Sequence, residues 1–126
     1  MDDKGWQDSA RRGAAAIRRA LNAETDPERV VAELSEAGRA VEDAVREAMA
    51  AAVLSGSSMR RVAEVAGLAP NSVPPRLARS RSLESFADDG TITAHGIAVA
   101  RHQAAADSGR PPMRFKPRRK DGDDQS

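Results

Sequence analysis

Apolar residues fall at helical intervals along most of this chain, and no stretch alternates for long enough to specify a strand. Ala10, Ala14, Ile17 and Leu21 follow 4-3-4 spacing, with Arg11, Arg12, Arg18 and Arg19 on the other side. This predicts an amphipathic helix within residues 8–24, capped by Asp8 or Ser9. Thr25-Asp26-Pro27-Glu28 then marks a second start. Thr25 or Asp26 can accept from the unpaired N–H groups, Pro27 sits where no N–H is needed, and Glu28 suits the positive helix end. Val30, Leu34, Ala37, Val41, Ala44, Ala48 and Ala51 keep a 4-3 rhythm up to Leu54, where Ser55-Gly56 stops the helix. At 1.5 Å per residue this rod reaches about 40 Å, more than so small a domain covers alone. Its stripe therefore either packs on another chain, as a homodimer through the long helix, or is covered by the first helix folding back as a hairpin.

A third apolar block lies in residues 57–80, and after Leu83, Phe86 and the turn Asp88-Asp89-Gly90 a last helix is expected. Thr93 caps it, it runs to about Ala106, and Ile97, Val99 and Ala100 are its apolar positions. Residues 25–107 thus form one helical domain. Residues 1–7 and 108–126 read as disordered, the latter as a basic tail holding Pro111, Pro112 and Pro117 with little to bury.

Composition narrows the chemistry. The 126 residues contain 25 Ala, three aromatic residues (Trp6, Phe86 and Phe115) and no Cys. Disulfides, thiolate metal sites and a Cys nucleophile are excluded. His95 and His102 have no companion at ligand spacing, so no metal or other cofactor is expected. No phosphate loop, nucleophile elbow or His-Glu-x-x-His pattern occurs, so neither an enzyme nor a small-molecule substrate is expected. No apolar run of membrane length and no secretory leader is visible, which places the protein in the cytoplasm with no membrane partner. Arg outnumbers Lys by 17 to 3, a codon bias expected of a high-GC bacterium.

Net charge is only +1, but it is segregated. Residues 57–85 carry five basic and two acidic side chains, a net of +3, and residues 110–126 carry six and three, again +3. Positive charge collected in this way suits a polyanion.

The basic central segment also carries the most specific motif. Ala63, Gly67 and Val73 are spaced by four and six, with Val62 and Leu68 as further core positions, behind a capped start at Ser57 or Ser58. A small residue at the first position permits a close, near-perpendicular helix crossing, and Gly at the second tolerates positive φ. The segment resembles a bacterial helix-turn-helix, of the kind found in small accessory regulators of actinobacteria. The resemblance implies an all-α three-helix bundle, with the long helix as its N-terminal scaffold, and sequence-dependent binding of double-stranded DNA in transcriptional or plasmid or phage regulation. The chain departs from the family pattern at Pro74 and Pro75, where polar side chains usually meet base edges. The least strained arrangement makes Asn71 or Ser72 the N-cap, so that both prolines fall in the first turn. Asn71, Ser72, Arg76 and Arg79 are then the candidates for DNA contact, and Arg60, Arg61 and Arg81 for phosphates. Two other readings fit the same residues: a helical protein-interaction module that binds no DNA, and a non-specific, nucleoid-type binder that uses charge alone.

Overall fold

A computed structural model describes residues 4–107, and these are all-α. Five helices occur: α1 Lys4–Asn22, α2 Pro27–Leu54, α3 Met59–Ala66, α4 Val73–Ala78 and α5 Ala94–Asp107, with single 3-10 turns at Pro70–Ser72 and Glu84–Phe86. The tail expectation for 108–126 lies outside the described residues.

Local signals set most helix ends. The Asp26 carboxylate accepts from the Arg29 N–H at 3.2 Å, and Pro27 opens α2 where a missing N–H costs nothing. Ser58 Oγ accepts from Arg61 N–H at 3.0 Å, and Thr93 Oγ1 from Gly96 N–H at 3.1 Å. The Asp88-Thr91 turn closes by reciprocal backbone bonds of 2.8 and 3.1 Å, with Asp89 and Gly90 both at positive φ.

α1 departs from expectation by starting at Lys4, a full turn before Asp8. The reason is tertiary: Gly5 lies against Glu47, and its carbonyl accepts from the Arg81 guanidinium at 2.8 Å. Ser9 is no cap. It is buried, and its hydroxyl accepts from Arg12 at 3.1 Å.

α1 folds back along α2 as an antiparallel hairpin. Gly13 permits the close approach, since a Cβ there would stand 3.2 Å from Val41 Cγ2 and 3.6 Å from Ala40 Cβ. Ala16 and Ala20 complete the α1 side of the seam, Ala37 and Ala40 the α2 side, all buried. The expected single stripe on α2 is therefore corrected. Ala37 is in the seam, but Leu34, Val41, Ala48 and Ala51 are exposed, because the C-terminal half of α2 turns a different side, Met49, Ala50 and Val53, toward the rest of the domain.

That second contact is the principal core. Met49, Ala50 and Val53 meet Val62 and Ala63 of α3, Val73 and Leu77 of α4, Leu83, Ile92, and Ile97 and Ala100 of α5. Val99, expected as an apolar position of α5, is 42% exposed. Gly96 explains how α5 closes so tightly: an added Cβ would meet the Phe86 carbonyl oxygen at 2.8 Å. Arg101 reaches back from α5 to donate to Val53 O at 2.9 Å, in the last turn of α2, and to Ser57 O at 3.2 Å, in the link to α3.

Candidate nucleic-acid interface

The segment from α3 to α4 is an elbow. Gly67 ends α3 at φ +72°, ψ +31°, the left-handed region that a Cβ penalises. Leu68 N–H then returns to Ala63 O at 2.9 Å and Gly67 N–H to Glu64 O at 3.2 Å, satisfying carbonyls that the helix end leaves open. Ala63 is 1% exposed and Val73 fully buried, so the small residue sits at the crossing and the aliphatic one anchors the second helix.

α4 begins as the prolines require. Val73, Pro74 and Pro75 are its first three residues, where helical N–H groups have no intrahelical acceptor. Ser72 is the N-cap residue, but its hydroxyl donates back to Ala69 O at 2.8 Å instead of accepting from the helix. The helix is only six residues long and ends at Ala78, with Arg79 as its C-cap residue.

The seven residues singled out from the sequence separate into different environments. Arg60, Arg61, Asn71 and Arg79 are exposed at the start of α3, in the turn and at the end of α4. Arg61 pairs with Glu64 at 3.1 Å, an exposed contact that a stronger anion can displace. Ser72 is half-buried, its hydroxyl already committed to the turn.

Arg76 does not share an open face with Arg79. It is half-buried and lines a cavity of about 230 Å³ with Val41, Glu42, Val45 and Arg46 of α2, and its Nε is buried without a hydrogen-bond partner among the described residues. The short, proline-led α4 is rotated to bury Leu77, and that rotation carries Arg76 toward α2. Arg81 is likewise a structural tie. Its backbone N–H donates to the Glu47 carboxylate at 2.9 and 3.2 Å, and its guanidinium holds Gly5 O and stands 4.0 Å from Glu47.

Glu47 escaped the sequence reading. It lies among Ala residues of α2 like any solvated helix carboxylate, yet it is 5% exposed, and its partner is 34 residues away. One further electrostatic feature lies on the hairpin: Arg19 donates to Glu33 at 2.8 Å and Arg29 at 3.4 Å, and these guanidinium groups, the Arg19 hydrogen bond above all, hold the Glu33 carboxyl below its ordinary value.

His95 and His102 are exposed, and no group of three or more potential metal ligands occurs among the described residues. No described helix is long and apolar enough to cross a membrane. No family model, curated protein sequence or solved structure matches the chain, so its chemistry has to be read from its own geometry.

Proposed function

We propose that the chain binds double-stranded DNA through the α3–α4 elbow and acts as a bacterial regulator in the cytoplasm. The observation that carries this reading is the joint between the two helices: a buried small residue, a left-handed glycine and a fully buried aliphatic, all within eleven residues and flanked by exposed arginines. Arg60 and Arg61 contribute phosphate contacts, while Asn71 and Arg79 are the groups available to base edges. With Pro74 and Pro75 at the front of α4, sequence preference rests on few side chains and is modest. Arg76, half-buried against α2, leaves the base-contact set, while Arg81, tied to Gly5 and Glu47 but with an exposed side chain, is a secondary phosphate candidate.

Fluorescence anisotropy of a labelled duplex against increasing salt tests this. Two or three neutralised phosphates give a log–log slope of about −2 to −3. Absence of binding at low salt rejects the reading, and equal affinity for every duplex replaces it with charge-only binding.

A further inference from the structure

The two sides of the α1–α2 hairpin are unlike. One carries the ion pairs Arg12–Asp43 at 3.4 Å and Arg19–Glu33 at 2.8 Å. On the other, Trp6, Ile17 and Leu21 of α1 and Leu34, Val41 and Val45 of α2 remain 43–69% exposed. At 3.6 residues per turn the α1 members lie roughly 80° round from the Gly13–Ala20 seam, and the α2 members roughly 100° round from Ala37 and Ala40. In antiparallel helices, equal rotations of the same sense bring both sets to one side. The result is an apolar face built of six large side chains, of the kind that marks an interaction surface.

Charge identifies the occupant. The outer edge of α1 bears Arg18 and Arg11, the latter also paired with Asp8 at 3.2 Å, and the outer edge of α2 bears Glu28 and Glu42, while Arg39 and Arg46 on that side of α2 are neutralised by Glu36 and Asp43. A second copy placed face to face by a two-fold axis along the helices sets its α1 over α2, antiparallel, with basic edge over acidic edge. A two-fold across the helices sets α1 on α1 and like charges together. The first arrangement also preserves the hairpin's own levels, in which Arg19 stands opposite Glu33 and Gly5 opposite Glu47. Arg11 of the second copy then stands level with Glu42. Trp6 of the second copy comes over a groove of about 330 Å³ between α2 and α3, lined by Val45, Met49 and Val65 among others.

We propose that this face closes on a second copy of the chain, with the two-fold along the helices, as an antiparallel four-helix bundle in which Trp6 of each copy enters the α2–α3 groove of the other. The arrangement does not rest on DNA binding, although it sets both elbows at the same end of the bundle.

Sedimentation equilibrium of the full chain from about 1 μM to about 1 mM spans the affinities expected of such an interface. The mass should rise to twice that of one chain, and the Trp6 emission should shift to the blue in step with it. Leu34→Glu, at a residue half exposed in the single chain, should return the monomer mass with helical circular dichroism retained. Trp6→Ala, at a side chain 43% exposed in the single chain, should weaken association at least tenfold with helical circular dichroism retained. Arg11→Glu should weaken it about fivefold, and adding Glu42→Arg should restore it. A monomer at every concentration overturns the proposal. So does a dimer that survives Leu34→Glu, a Trp6 emission that stays fixed on association, or a charge reversal that fails to restore pairing.

Discussion

Gly67→Ala isolates the backbone requirement of the elbow. An added Cβ at Gly67 would have nothing within 4 Å apart from its chain neighbours, so the methyl group itself fits. What remains is the cost of holding an L-residue at φ +72°, about 1–2 kcal/mol, reduced slightly by the entropy that Ala removes from the unfolded chain. The net destabilisation should be about 1 kcal/mol, or roughly 4–8 °C in Tm for a domain of this size. Asn tolerates the left-handed region better, so Gly67→Asn should lose less than Gly67→Ala. Urea unfolding followed by circular dichroism gives both differences. Ala and Asn proving equal, or Ala costing nothing, would refute the view that a left-handed residue shapes this turn. A loss of several kcal/mol with altered native circular dichroism would instead mean steric conflict, contrary to the open space around Gly67.

Gly96→Ala should behave differently, because its Cβ meets the Phe86 carbonyl oxygen, a backbone atom, at 2.8 Å. A loss of about 1–3 kcal/mol in urea unfolding is expected, and a neutral result would show that α5 can move away freely. Leu77→Ala, at a fully buried site, should cost about 2–5 kcal/mol by the same measurement. The Glu33 carboxyl is held below its ordinary value of 4.5, so its contribution is complete above that value and disappears as pH falls through the lower, folded one. Glu33→Gln should therefore flatten the acid side of the stability profile, and a profile unchanged by the substitution would count against the Arg19 pairing. In DNA titrations, Arg79→Ala should weaken binding by about 1–3 kcal/mol if it meets a base. Arg76→Ala, at a half-buried side chain turned to α2, should change the salt slope little. The opposite order would return Arg76 to the contact surface.

Signals contained within a few residues were legible in the sequence. Asp26, Ser58 and Thr93 each accept from an N–H three positions on, and these short-range preferences survive in any fold. Gly67 and the two prolines were legible for the same reason: one backbone region or one missing donor dictates where such a residue can stand. The environment of a side chain was not. Arg76 and Arg79 are three apart and read as neighbours on one face, yet burial of Leu77 and the brevity of α4 send Arg76 to α2. The long apolar stripe concealed two packing directions, because a 4-3 rhythm reports a mean face and α2 changes the side it buries halfway along. The first turn of α1 depends on a residue 76 positions away, a separation that no local pattern encodes.

That long-distance tie gives the molecule a mechanical character. Arg81 follows α4, and through one backbone amide and one guanidinium it clasps the C-terminal third of the longest helix and the leading turn of the first. The clasp makes the rod and the joint at its end share their strain. Trimming the chain's beginning past Gly5 would therefore be felt at the exit from α4, as play in a hinge far along the sequence from the cut.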